Sequence, residues 1–449
     1  MEVYVIDKYR SSSTPHFPII GIVPSYHSIL WNKQLYGLGY FEMTVAATKE
    51  NMNLLQKGRF LVRQKDIEVV AGRSYYRNAM IIRRVETISD QEMGKLLVVS
   101  GKSVKDVVSQ RIVWDRYEAV NQPLTTVIYT IFSRNITNPE QYVQGVVDDL
   151  NDEIDALYDA RDEKAVEVTQ AQADYEQAVA DYGADSPEAA AAKEIWDTKE
   201  EEYEAILEEL VLKNRELEYW NRDLTIQSKR EIPYIIAGLI DNINPPRVTV
   251  QLRGENIGEW MENICTENHF GWDLAMSDSS MVLTFNQGTD KSDTIIFSSE
   301  LDNLKNSTYV TSLENFKNAG LVTGEEFDEG YGPFPIAADV GTSTGDARYE
   351  VWIEANDIEK NEDTSAADYY NMLVQYGKSA IIPYKKVSSL TGEIDPDGMF
   401  KIGVDYDLGD LVKVQNEQGI SAKLRLVEIL DSDEASGKLT NGTFEEWED

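Results

Sequence analysis

The feature that most constrains this chain is a stripe of apolar side chains at steps of three and four residues between residues 140 and 224. Such spacing places the side chains on one face of a helix and is typical of a coiled coil. The stripe breaks at Gly183, after which Ser186 and Pro187 follow in the order that starts a new helix. The sequence therefore predicts an antiparallel helical hairpin over residues 140–224, in which facing residues have numbers that sum to about 371.

The predicted seam between the two helices consists of large apolar residues: Leu150, Ile154, Leu157, Val168, Tyr175, Trp196, Tyr203, Ile206, Leu210, Leu217 and Trp220. Burying such side chains stabilises a hairpin by roughly 1.5–3 kcal/mol for each large residue. The outer faces are acidic and repel one another, which opposes that gain. We expect an arm with a firm root and a mobile tip, and an arm of this kind favours a role in assembly.

The charge of the whole chain is extreme. Its 449 residues carry a formal net charge of -37, and residues 140–222 hold 25 acidic against 7 basic residues, a net of -18. Such a field disfavours contact with phosphates and argues against specific nucleic-acid binding. Two readings stay open: solubility, which is the more common reason for a surplus of one charge, and a surface that DNA passes without sticking.

Cysteine and targeting signals limit the class of protein further. There is one cysteine, Cys265, so an internal disulfide is impossible, and three widely separated histidines make a zinc site of Cys/His type unexpected. The first residues lack the basic and apolar regions of a secretory leader. The longest apolar run, near residues 234–240, is too short to span a bilayer. We expect a soluble protein, or one carried to its destination inside a particle.

The remaining segments predict an α+β, multidomain chain of 449 residues with an apolar share of 42%. Short, regularly spaced strands in residues 1–105 suggest an antiparallel barrel or sandwich. Residues 106–139 form a predicted helical connector and 140–224 the acidic hairpin. Residues 225–378 form an α+β domain, and residues 379–449 form a C-terminal β domain.

Three motifs suggest chemistry, and each has a simpler structural interpretation. Gly101, Lys102 and Ser103 follow a strand as in a phosphate loop, but Leu96 stands where that loop needs glycine, so a strand-to-helix turn is favoured. Cys265 lies on the apolar face of a predicted helix and is interpreted as core. Residues 431–435 begin like a calcium loop but are interpreted as an acidic turn. The sequence predicts no catalytic, cofactor-binding or metal-binding residue.

Several motifs together resemble the family of siphophage tail-hub proteins. The run from Ile29 to Glu42 is similar to that family's signature of tryptophan, tyrosine, glycine and phenylalanine-glutamate. The remaining motifs follow in the same order along the chain: residues 98–103 with 111–113, residues 293–298 with Asn303, Leu304 and Tyr309, and residues 406–412. They cover nearly the whole chain except the hairpin.

The resemblance implies a structural part of a phage tail tip or baseplate, related to the trimeric hub of contractile tails. In such a homotrimer, barrel-like tube domains form a ring that continues the tail tube, and α/β domains brace it. The implied partners are the distal tail or tube protein, receptor-binding or fibre proteins and the tape-measure protein, with DNA passing unbound. The implied location is the virion, after assembly in the host cytoplasm. The family's hub region brings no catalytic residues.

Two other functions stay open at this stage. A tail protein that binds or cleaves cell-wall glycan would use the many aromatic residues and carboxylate pairs, although core packing explains most of the aromatics. A cellular acidic scaffold unrelated to phage would also carry such an arm. The leading expectation is a non-enzymatic hub that continues and closes the tail tube and anchors receptor-binding or fibre proteins.

Overall fold

The computed structural model describes residues 2–8, 16–90, 94–238, 244–327, 334–355, 358, 366–381, 384, 386–395, 398–415, 421–434 and 437–446. The chain divides into two compact units. The larger comprises Met1–Ile131 and Pro233–Asp449, and the smaller is the continuous segment Phe132–Ile232. The combination of helices and many antiparallel strands confirms the predicted α+β class.

The strands before the smaller unit are β1 (Val3–Ile6), β2 (Ile19–Val23), β3 (Ser28–Gln34), β4 (Tyr40–Ala46), β5 (Phe60–Arg63), β6 (Ile67–Val70), β7 (Arg73–Tyr76), β8 (Met80–Asp90), β9 (Gly94–Ser103) and β10 (Tyr117–Pro123). The strands after it are β11 (Ile235–Ala237), β12 (Arg247–Leu252), β13 (Gly271–Ser277), β14 (Met281–Asn286), β15 (Ile296–Ser298), β16 (Leu304–Ser312), β17 (Ala319–Phe327), β18 (Phe334–Val340), β19 (Glu350–Glu354), β20 (Val387–Ile394), β21 (Leu411–Gln415), β22 (Ser421–Glu434) and β23 (Gly437–Glu446).

The α-helices are α1 (Lys49–Leu54), α2 (Leu124–Phe132), α3 (Pro139–Tyr182), α4 (Pro187–Gln227), α5 (Ile257–Glu267) and α6 (Ala366–Ile381). Short 3₁₀ helices cover Gln64–Asp66, Val104–Gln110 and Gly345–Ala347, and a π-helical turn covers Ser133–Thr137. In the described part of the chain, no helix is long and apolar enough to cross a membrane.

A 13-stranded sheet dominates the larger unit. Its hydrogen-bonded order is β16-β20-β23-β22-β3-β4-β9-β8-β5-β1-β2, with β21 and then β15 branching from β22. The end strands β16 and β2 do not pair with each other in the described residues, so the sheet stays open. The predicted barrel-like closure is therefore not found among the described residues. Among the described residues each end strand has one strand partner, so the hydrogen-bonding groups of its other edge pair with no described strand.

Alternation in the sequence explains how this sheet builds its core. In β4, Phe41, Met43 and Val45 are buried, whereas Tyr40 and Glu42 are exposed, as the two-residue period of a strand requires. The predicted turn before β4 is also present. Gly39 has φ +66, and a side chain there would meet the carbonyl oxygen of Asn32 at 2.7 Å, so glycine is required at this position.

Three smaller sheets complete the larger unit. β10 pairs with β12, and β11-β14-β13-β7-β6 form a five-stranded sheet. The third sheet has the order β18-β17-β19, and α6 packs on one of its faces through Tyr369 and Leu373, which join Val322 and Ala338 in a buried cluster. A two-layer arrangement of this kind covers one face of the sheet and leaves the other for solvent or a partner.

Candidate functional site

The hairpin of α3 and α4 is the feature that the sequence singled out. α3 ends where Gly183 takes φ 91, and the Ser186 side chain accepts a hydrogen bond from the backbone N–H of Ala189. Pro187 occupies the first turn of α4, where its missing N–H costs nothing. The predicted break and restart of the helix are confirmed.

The structure places the predicted seam residues between the two helices to different depths. Leu150, Ile154 and Leu210 are buried. The others are half-buried: Leu157, Val168, Tyr175, Trp196, Tyr203, Ile206, Leu217 and Trp220. Tyr175 stacks on Trp196 with ring centroids 5.6 Å apart, which is the antiparallel register expected from a residue sum of about 371. Two helices by themselves cannot enclose their seam, so its packing energy is only part of that of a closed core.

Ion pairs between the helices lie beside this seam. Lys164 Nζ lies 2.8 Å from Glu202, Lys199 Nζ lies 3.0 Å from Glu167, and Lys213 Nζ lies 2.6 Å from Glu153. The hydrogen bonds that Lys164 donates to Glu167 and Glu202 raise the pKa of Lys164, which therefore stays charged. Pairs this exposed contribute little free energy each, so their main effect is to favour one register.

A buried polar network holds the root of the hairpin. The Arg230 guanidinium donates to Gln227 Oε1 at 2.7 Å and to Asn135 Oδ1 at 3.1 Å. Gln227 in turn donates to Asp223 Oδ2 at 2.7 Å. The backbone N–H of Ile232 donates to the carbonyl of Ile136 at 2.8 Å and closes the base. Satisfied networks of buried polar groups fix one arrangement, because any slip leaves a group unpaired.

Sequence reasoning missed this network. Its signal is the set of polar residues Asp223, Gln227 and Arg230, spaced by four and three after the apolar stripe ends. Asp223 and Gln227 lie on one face of α4 and Arg230 lies in the turn that follows it, and polar residues that continue a buried face need partners there. The partner Asn135 lies 95 positions away along the chain, so the sequence could not name it.

The motifs that suggested chemistry have structural roles. Gly101 lies in β9, where a side chain would meet the Ile81 carbonyl oxygen at 1.9 Å, and Ser103 accepts from the N–H of Lys105 at the start of a 3₁₀ helix. Cys265 is buried, as predicted, and burial raises the pKa of its thiol. The interpretation of residues 431–435 as an acidic turn is wrong for residues 431–434, which belong to β22, and residue 435 lies outside the described residues. In the ranges that the structure describes, no three His, Cys, Asp or Glu side chains converge as a metal site.

The larger unit also contains a small polar cavity of about 110 Å³, lined by Lys33, Asn78, Lys105 and Asp407 among others. Lys105 Nζ donates to the carbonyl oxygens of Gln34 at 3.0 Å and Trp272 at 3.3 Å. Burial lowers the pKa of Lys105 to about 8. The two carbonyls belong to segments more than 200 positions apart, so this lysine joins distant parts of the unit.

A comparison with protein families shows to which family the chain belongs. The model of the "Siphovirus ReqiPepy6 Gp37-like protein" family matches residues 2–152 and 197–442. The chain belongs to this family. The match confirms the resemblance to siphophage tail proteins that was inferred from the sequence motifs. Within this Gp37-like chain, the unmatched residues 153–196 form the distal half of the hairpin, which is where the protein departs from its family.

Solved structures of similar fold include the 43 kDa tail protein of prophage MuSo2 from Shewanella oneidensis, with a TM-score of 0.48, 13% identity, and coverage of 99% of this chain and 98% of that chain. A tail protein from Neisseria meningitidis MC58 has a TM-score of 0.48 and 11% identity, with 99% and 96% coverage. Prophage tail protein gp18 from Listeria monocytogenes EGD-e has a TM-score of 0.42 and 10% identity, with 99% and 94% coverage. A comparison with curated proteins gave no match.

Proposed function

We propose that this Gp37-like protein is a structural hub of the phage tail tip or baseplate. Three copies form a ring that continues and closes the tail tube, lets DNA pass, and anchors receptor-binding or fibre proteins. The observation that carries the proposal is the pair of edge strands, β16 and β2, that end the 13-stranded sheet and each have one strand partner among the described residues. The family membership supports it, because the chain matches a siphovirus family over most of its length.

The two edge strands carry few of the charges that usually protect an edge strand, although Pro18 and Pro24 flank β2. β2 reads Ile-Ile-Gly-Ile-Val and has no charged residue, and Ile19, Ile20 and Ile22 are 40, 39 and 41% exposed. β16 has one charged residue, Lys305, at its start, and Val310 is 43% exposed. Soluble proteins normally place charges or prolines on exposed edges to prevent pairing with other chains. In a chain with 27% charged residues, two such edges favour contact with another protein.

Pairing of β16 from one copy with β2 of the next would join copies head to tail. A head-to-tail contact closes into a ring when its rotation divides a full turn, and three copies would give the expected homotrimer. Copies that each carry a charge of -37 repel one another over most of their surfaces. Their edge strands, which carry only Lys305 between them, are the places where this repulsion costs least.

The same charge supports the passage of DNA. Acidic surfaces do not release counterions from DNA in the way that lysine and arginine do, so they provide no affinity for the phosphate backbone. The hub would present such surfaces to the genome and let it slide. The hairpin would brace neighbouring subunits or dock a receptor-binding or fibre protein outside the ring.

The oligomeric state of the purified protein tests the proposal. We expect a trimer by light scattering after size-exclusion chromatography, alone or with the distal tail protein, and a ring by electron microscopy. Ile20→Lys and Ile22→Lys place charges on the edge and should give monomers. Val69→Lys is the matched control, because Val69 is 67% exposed on another strand, β6. A wild-type protein that stays monomeric even with its tube neighbour would contradict the hub.

A further inference from the structure

The face of the β18-β17-β19 sheet that lies opposite α6 carries an exposed tryptophan, Trp352, and a paired group of charges. Leu321 of β17 lies opposite Asp339 of β18 and opposite Trp352 of β19, so the three form one row across the sheet. Residues directly opposite on neighbouring strands share a face. Trp352 is 60% exposed and Leu321 is 40% exposed, and α6 packs on the other face.

Arg348 holds two carboxylates of this face in position. Its Nη2 lies 2.6 Å from Asp339 Oδ1, and its Nε lies 2.6 Å from Glu350 Oε1. A third guanidinium nitrogen, Nη1, donates to the Ser343 carbonyl at 3.3 Å. All three guanidinium nitrogens are therefore engaged. Asp339 and Glu350 remain 61 and 68% exposed and keep lone pairs for further donors.

This arrangement selects the charge of a ligand. A flat exposed indole attracts a cation over its ring face, and tryptophan does so better than any other side chain. Two carboxylates against one arginine leave the face negative, which adds attraction for a cation and repels phosphate or carboxylate groups. The local charge and the ring thus favour the same class of ligand.

The supply of hydrogen-bonding groups narrows the choice further. The exposed carboxylates of Asp339 and Glu350 offer hydrogen-bond acceptors and no donors. A guanidinium or ammonium group only donates, which matches acceptors alone. A second copy of this acidic chain is disfavoured by charge.

We propose that the face formed by Leu321, Asp339, Glu350 and Trp352 docks a partner protein through an arginine or lysine side chain. The cation lies over the exposed Trp352 ring, on the face where Asp339 and Glu350 supply the negative charge. The proposal rests on the anchoring role of the hub, but the edge strands β2 and β16 take no part in it.

Fluorine NMR of the full chain labelled with 5-fluorotryptophan tests this contact. Trp352→Phe assigns the Trp352 resonance, and Trp114→Phe assigns Trp114, which is 36% exposed elsewhere and serves as the internal control. Titration with the peptide Gly-Arg-Gly-Arg-Gly should shift the Trp352 resonance and leave that of Trp114 in place. The apparent Kd should rise with added salt, since exposed charges are screened.

Two variants measure separately what the Trp352 indole and the two carboxylates contribute to binding. Trp352→Ala removes the cation–π contact and should weaken peptide binding by ~2–5-fold, measured by calorimetry. Asp339→Asn combined with Glu350→Gln should weaken it by a similar ~2–5-fold and reduce its salt dependence. Unchanged affinity in both variants would overturn the proposal.

Matched probes distinguish other ligands. The peptide Gly-Glu-Gly-Glu-Gly should leave the Trp352 resonance unmoved. A larger shift with an N-acetylglucosamine tetramer than with the arginine peptide would overturn the proposal in favour of a sugar site. The monomeric edge variant Ile20→Lys should bind the arginine peptide as the wild type does. A protein that binds the arginine peptide but does not form the trimeric assembly contradicts the proposed hub alone. A protein that forms the trimer but does not bind the peptide contradicts the docking proposal alone.

Discussion

At the scale of single residues, buried charges hold distant strands of the large sheet together. Arg63, fully buried at the end of β5, pairs with Asp66 and with Asp431 of β22, which lies 368 positions further along the chain. Thr440 donates to the other oxygen of Asp431 at 2.8 Å. Burial alone would raise the pKa of Asp431, but the charges of Arg63, Lys65 and Lys33 hold that pKa well below its usual range.

Asp431→Asn should lower the free energy of unfolding at neutral pH by about 3 kcal/mol. This value is at the lower end of the range for a broken buried ion pair, because Arg63 still pairs with Asp66. The folded-state pKa of Asp431 is depressed, so its contribution is present at neutral pH and is lost as the pH falls below the usual carboxyl pKa of about 4. Urea titrations should show a smaller difference from wild type at about pH 3 than at about pH 7.

The control for this substitution is Asp302→Asn. Asp302 is 84% exposed in its pair with Lys305, so its loss should leave the urea midpoint nearly unchanged. An Asp431→Asn protein as stable as wild type at neutral pH would show that the Arg63 network adds nothing to the stability of the fold.

At the scale of elements, the sequence predicts the features that are set by residues close together in the chain. The hairpin follows from the period of Leu150, Ile154 and Leu210 and from the turn chemistry of Gly183 and Ser186, all of which lie within the elements that they shape. The sheet order does not follow in this way. β22 pairs with β3, nearly 400 positions apart, and no local period states which strand will be its neighbour.

The same distinction explains the specific errors. Residues 431–434 are acidic and polar, which is typical of a turn, but pairing with β3 and with β23 keeps them in a strand, and Arg63 neutralises Asp431. Barrel closure was expected from short strands, yet closure depends on whether the two end strands meet, which is a property of the whole sheet. The polar root of the hairpin depends on Asn135, outside the helix that it stabilises.

Within the hairpin, Trp196 is the side chain whose loss should loosen the distal half most clearly. Trp196→Ala removes the stacking on Tyr175 and should make backbone amides of the surrounding turns exchange hydrogen about tenfold faster. The neighbouring Ile195→Ala is the control, because Ile195 is 58% exposed and faces away from the seam. Equal exchange in the two variants would mean that the seam does not hold the distal helices together.

At the scale of the whole molecule, the division into two units has a consequence for assembly. The larger unit, Met1–Ile131 with Pro233–Asp449, contains the 13-stranded sheet and both of its open edges. The seam, ion pairs and root network of the hairpin all lie within Phe132–Ile232. The two units therefore satisfy their main contacts separately, and the distal hairpin is also the segment that the family model leaves unmatched.

Replacing residues 157–214 by a short glycine-containing turn, a cut that keeps facing residues 156 and 215 in register, should therefore shorten the arm without unfolding the large sheet. We expect the free energy of unfolding of the larger unit to change by no more than about 0.5 kcal/mol, as a surface substitution does. Its thermal unfolding, followed by near-ultraviolet circular dichroism, should therefore have nearly the wild-type midpoint. Because β2 and β16 are untouched, the shortened protein should form the same oligomer as wild type in light scattering. The variant Ile20→Lys is the opposite control, with an intact arm and an altered edge. A shortened protein that no longer associates would assign the contact between copies to the hairpin and remove it from the sheet edges.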